Sequence, residues 1–152
     1  MERVLTQRRV LLVDPSDAGS LAIQRACQLI ADVEFTSDFG VARKRLLQSP
    51  PDLLATNLRL GAYNGLHLVY LARTTSPKSR SVVYSSYLDL PLIEEAQSIG
   101  AFFEPLHRLQ FALPAYIRAT LPTRDRRSPL MIDRRKLFRG GRRSADVSVA
   151  TI

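Results

Sequence analysis

The sequence predicts an α/β domain: a parallel sheet covered by helices on both faces. Short apolar, branched runs alternate with helical patterns five times within about 115 residues. The runs have few polar interruptions, as in strands buried on both faces. Each run also stops at a polar or glycine-bearing loop, the place where such sheets keep their ligand sites. A chain of 152 residues suffices for one such domain with one hydrophobic core.

The first strand is Arg9-Val10-Leu11-Leu12-Val13, which stops at Asp14-Pro15-Ser16-Asp17. Ser16 is placed to cap the following helix, which carries Leu21, Ile23, Ala26, Cys27 and Ile30 at mixed three- and four-residue spacing. Val33-Glu34-Phe35-Thr36 alternates as a second strand, and 39–47 reads as a second helix ended by Pro50-Pro51. Residues 53–56 make the third strand, leading to Asn57 and the turn Gly61-Ala62-Tyr63-Asn64-Gly65. Helix three spans 65–75, strand four 81–85, and helix four 90–98, broken by Gly100. Ala101-Phe102-Phe103 is a short fifth strand, and 109–121 is a last helix interrupted by Pro114.

The domain spans 8–121, and 122–152 is a different kind of segment. The net charge is +8, of which residues 121–152 carry +6. Arg126-Arg127, Arg134-Arg135 and Arg142-Arg143 recur eight residues apart, with Pro129, Gly140 and Gly141 between them. That composition reads as a flexible basic tail. No apolar run approaches the roughly 20 residues of a membrane span, the N-terminus lacks a secretory h-region, and the lone Cys27 forms no internal disulfide. A cytoplasmic location with no membrane contact is expected.

Several segments match one family in order and spacing. They are Val10-Leu11-Leu12-Val13-Asp14; Pro51-Asp52-Leu53-Leu54 leading to Asn57; Gly65 eight residues after Asn57; Val82-Val83-Tyr84-Ser85-Ser86; and Gly100-Ala101 before Glu104-Pro105. Residues 8–120 resemble the receiver domain of bacterial two-component response regulators, the CheY-like fold. The resemblance implies a (βα)5 flavodoxin-like, doubly wound sheet with strand order 2-1-3-4-5.

It also implies a phosphorylation pocket that this chain lacks in part. Active receivers pair two acids after the first strand to hold magnesium; here the pair is Asp14-Pro15. Their phosphoacceptor aspartate corresponds to Asn57, their Thr or Ser to Ser86 (or Ser85 under a one-residue shift), and their lysine to Glu104. An amide is a poor nucleophile and forms no acyl phosphate. One acid is a weak magnesium site, and Glu104 repels a phosphoryl group. Asn57 can instead donate a hydrogen bond to Asp14. Asp14, Pro15, Asn57, Ser86 and Glu104 are therefore expected to line a vestigial pocket, with no catalysis, no cofactor and no metal.

The expected function is a phosphorylation-independent receiver acting as a protein-interaction module. The family's partner surface, formed by the fourth helix, fifth strand and fifth helix, would present Tyr87, Phe102, Phe103 and Leu106 to a signalling protein or a second copy. The alternative is a nucleic-acid-binding regulator using Arg126, Arg127, Arg134, Arg135, Arg142 and Arg143 on phosphates. His67 and His107 lack partners at metal-ligand spacing, and no phosphate-binding glycine loop or nucleophile elbow is present.

Overall fold

The structure, a computed structural model, describes residues 7–127. Its elements in chain order are β1 (Arg9–Val13), α1 (Asp17–Gln28), β2 (Asp32–Thr36), α2 (Phe39–Gln48), β3 (Leu53–Asn57), β4 (Arg59–Leu60) and β5 (Tyr63–Asn64). There follow α3 (Leu66–Thr75), β6 (Arg80–Ser85), α4 (Leu90–Ser98), β7 (Phe102–Pro105) and α5 (Leu106–Arg118). Five parallel strands form one sheet in the order β2-β1-β3-β6-β7. Counted among the sheet strands alone, this is the expected 2-1-3-4-5.

The two-residue period of the strands sorts their side chains onto two faces. Leu11, Val13, Leu54, Val83 and Phe103 pack with Ala42 and Leu46 of α2, Val69 and Ala72 of α3, and Ile93 and Ala96 of α4. Val10, Leu12, Ala55, Val82, Tyr84 and Phe102 pack with Ile23 and Cys27 of α1 and Leu109, Leu113 and Ile117 of α5. Side-chain oxygens cap three of the helices: Ser16 accepts from Gly19 N–H, Asp38 from Val41 N–H and Asp89 from Leu92 N–H.

The register sets Val13 beside Thr36 and Thr56, Asn57 beside Tyr84, and Tyr84 beside Glu104. The carboxyl ends of the strands thus lie level, and the loops leaving them share one end of the sheet.

Three features differ from expectation. The last helix starts at Leu106 and runs unbroken through Pro114. Leu109, Leu113 and Ile117, four residues apart, are all buried on the sheet, and that seating offsets the one hydrogen bond a proline cannot donate. Second, β4 and β5 form a small antiparallel ribbon, pairing Arg59 with Asn64 and Leu60 with Tyr63. Gly61, at φ 63°, supplies the left-handed backbone its tight turn needs. Third, ordered packing does not stop at 121: Asp125 is 6% exposed, and Arg127 is tied to β7 and α5. Residues 128–152, with Arg134, Arg135, Arg142 and Arg143, lie outside the described residues.

Candidate functional site

Asp14 follows β1 and is 5% exposed. Both of its carboxylate oxygens are engaged by the protein. Oδ1 accepts the backbone N–H of Ser16 at 2.9 Å. Oδ2 accepts the phenolic O–H of Tyr84 at 2.7 Å and the side-chain amide of Asn57 at 3.4 Å. Tyr84 reaches Asp14 because β6 sends its side chain into the α1/α5 face, where the ring is fully buried. Burial pushes its phenol well above the ordinary tyrosine value, and the Asp14 anion and hydrogen bond push the same way.

Asn57 closes the arrangement from β3. Its Oδ1 accepts the N–H of Arg59 at 2.9 Å, which turns the chain from β3 into the ribbon. Gly65 then passes so near that an added Cβ would collide with the carbonyl of Asn57 and lie 2.9 Å from Thr56 Oγ1. This close approach accounts for the glycine eight residues after Asn57. Above the site, the Arg59 guanidinium lies 4.3 Å from the centre of the Tyr87 ring. That cation–π contact ties the ribbon to the loop between β6 and α4.

No protein-family model matches the sequence, and no curated protein matches it. Solved structures do share the architecture. A response regulator from Thermotoga maritima superposes with a TM-score of 0.63 at 24% identity, over 74% of this chain and 99% of its own. A response regulator protein from Burkholderia pseudomallei, solved with a phosphorylated aspartic acid, calcium ion and citrate, gives 0.67 at 18% identity, over 74% of this chain and 67% of its own. The phosphorylated cyanobacterial phytochrome response regulator RcpA gives 0.62 at 19% identity, over 76% and 99%. The fold is that of a receiver domain.

Within that receiver fold, magnesium does not fit the residues present. Asp14 is the one acid at this strand end, its oxygens already accept three protein donors, and Pro15 and Asn57 bring no second carboxylate. Among the described residues no three His, Cys, Asp or Glu side chains come together to hold an ion.

Glu104 requires a correction. It does not bond to Asp14 or Asn57. Its Oε1 accepts the Tyr116 O–H at 2.6 Å and pairs with Arg127 Nη1 at 3.0 Å, on the outer side of β7. The reason is chemical: a carboxylate buried to 7% exposure needs cationic and hydroxyl donors, and those stand on α5 and the segment after it. Ser86 is exposed, whereas Ser85 is 5% exposed and accepts the N–H of Tyr87 at 3.0 Å. Neither serine bonds to Asp14 or Asn57.

The expected partner residues also divide. Tyr87 is 58% exposed and Leu106 is half-buried, but Phe102 and Phe103, at 7% and 0%, are core. β7 is flanked by a helix on each face, so neither ring reaches solvent. Arg127 is not free for phosphates. It bonds to Asp125, Glu104, Tyr116 and the Phe103 carbonyl, although, like Arg126, it is exposed. Burial opposes the Arg127 charge, but the Asp125 hydrogen bond and the surrounding anions outweigh it and hold the guanidinium protonated.

Sequence reading missed Tyr84 and Tyr116, the two hydroxyls that organise these carboxylates. For Tyr84 the signal was present: a tyrosine in an otherwise aliphatic buried strand must find a partner for its O–H; Tyr116, on a helix, carried no such mark.

Proposed function

We propose that the chain is a receiver-fold module that signals without phosphorylation, through protein–protein contact in two-component-type signal transduction. One observation carries this reading: the Asp14 carboxylate accepts three protein donors, from Tyr84, Asn57 and Ser16, so a hydrogen-bonded arrangement stands where the resemblance implies a metal-dependent one. Asn57 supports it twice over. Its amide offers no nucleophile, and its carbonyl oxygen is occupied by Arg59 N–H. The Arg59–Tyr87 contact adds a tie between the two loops that flank the site.

The test is exposure of the full chain to acetyl phosphate, and separately to beryllofluoride, each with magnesium. Intact mass and amide spectra are expected to stay unchanged. A stoichiometric adduct at this site, or magnesium binding at sub-millimolar concentration, would overturn the proposal.

A further inference from the structure

We propose that the amino end of the sheet carries a binding site for a small phosphate-type oxyanion, built by Arg8, Lys78 and Arg80 around one cavity. The site lies at the opposite end of the strands from Asp14 and Asn57, so it does not depend on the reading given to them.

The strand starts form the cavity. The Asp52 N–H donates to the Arg9 carbonyl at 2.9 Å and the Arg80 N–H to the Asp52 carbonyl at 3.0 Å, so β1, β3 and β6 begin level. Beside these starts, where the chain leaves α5 at 119–121, lies a cavity of about 220 Å³ lined by Arg8, Asp52, Lys78 and Arg80. Sites for whole drug-sized molecules take roughly 300–1,000 Å³, so this one suits a phosphate or diphosphate group.

Both arginines are held before any ligand arrives. Arg8 Nη1 donates to the Ile117 and Ala119 carbonyls, each at 2.6 Å. Arg80 Nε donates to the Leu121 carbonyl at 3.2 Å, and its Nη1 to the Pro77 carbonyl at 2.9 Å. These bonds satisfy the chain leaving α5 and fix the planes of both guanidinium groups. Among the described residues, Nη2 of each arginine and the Lys78 ammonium make no hydrogen bond.

Holding the end of α5 does not account for the charge. Three cations line the cavity against one carboxylate, Asp52, and Asp52 Oδ2 accepts the Arg9 N–H at 2.8 Å. No salt bridge among the described residues involves Arg8, Lys78 or Arg80. The Arg9 guanidinium is engaged elsewhere, with Ser49 Oγ at 2.6 Å. Like charges gathered without a counterion repel, and an oxyanion both removes that repulsion and accepts from fixed guanidinium N–H groups.

The experiment titrates the full chain with inorganic phosphate and with inorganic diphosphate, at ionic strength held constant with chloride. Amide shifts are read at 8–9, 52–53, 78–80 and 119–121. Saturable shifts confined to those residues are expected, with diphosphate the tighter ligand. Lys78 is exposed and makes no described side-chain contact, so its replacement leaves the fold intact. Affinity for diphosphate should fall about threefold in Lys78→Ala and about tenfold in Lys78→Glu, which turns three cations against one acid into two against two. Lys44→Glu, the same charge change on α2, and Arg142→Ala/Arg143→Ala in the tail should each leave it within about twofold. Shifts that chloride reproduces, or affinity that ignores Lys78 and follows the tail arginines, overturn the proposal.

Discussion

The phenolic oxygen of Tyr84 sits 2.7 Å from Oδ2 of Asp14, and both groups are buried. A neutral hydroxyl thus does for this carboxylate what a cation does elsewhere: it supplies a donor out of reach of water. Hydrogen bonds to charged groups contribute about 1.5–3 kcal/mol. Tyr84→Phe, which keeps the ring and removes only the donor, is expected to lower unfolding free energy by about that much. Urea unfolding at neutral pH measures it. A loss below roughly 0.5 kcal/mol would mean that water replaces the hydroxyl freely.

Asn57→Asp tests the same site from the other strand. The substitution sets a second carboxylate against Asp14, at the place where an amide now donates across 3.4 Å. Like charges raise the shared proton affinity of such a pair. The folded form then holds a proton that the unfolded form releases, so stability falls as pH rises past the carboxylate range. A cost of about 1–3 kcal/mol at pH 7, shrinking below about pH 5, is expected in pH-dependent melting curves. Acetyl phosphate should leave the variant's mass unchanged, because Pro15 and the engaged Asp14 remain.

Gly65 admits no side chain. Gly65→Ala must push the start of α3 away from the Asn57 carbonyl or break the Gly65 N–H bond to the Leu58 carbonyl. Overpacking of this kind costs about 1–3 kcal/mol. Thermal unfolding should show it, and the Gly61-Ala62 turn, open to solvent, should tolerate alanine at 61 better than the wedge at 65 does, despite its positive φ.

The strands and helices were legible because their apolar periods are local. Leu90 to Ser98 reads as a helix from its own residues, with Asp89 before it and Gly100 after it. The ribbon was not legible, since strands of two residues have no period to detect. The continuity of α5 through Pro114 was hidden because a proline's cost is local, while its compensation lies across the sheet. The destination of Glu104 was the least visible feature. Its partners lie 12 and 23 residues further along the chain, and only folding brings them to one side of β7. Asn57 facing Asp14, by contrast, follows from two strand ends lying side by side.

The alkaline limb of stability belongs to buried acids. Burial pushes the Cys27 thiol up from 9.0 to about 11. The folded state keeps that proton after the unfolded chain has lost it, so stability is whole below about pH 8.5 and declines as pH rises toward 11. The loss should be on the order of 2–3 kcal/mol. Tyr84 and Tyr116, raised chiefly by burial, deepen it above about pH 10. Cys27→Ala should flatten the first part of the curve, and native Cys27 should resist thiol reagents until the chain unfolds.

An outer strand with unclaimed backbone groups is a template on which other molecules stack into insoluble sheet. In this chain the Phe103 carbonyl on that border is claimed by Arg127, six residues past the point where a sequence-minded worker would cut. Trimming at Leu121 to obtain a tidy domain therefore exchanges a charged tail for a bare border. The shortened protein should be the stickier of the two in a concentrator.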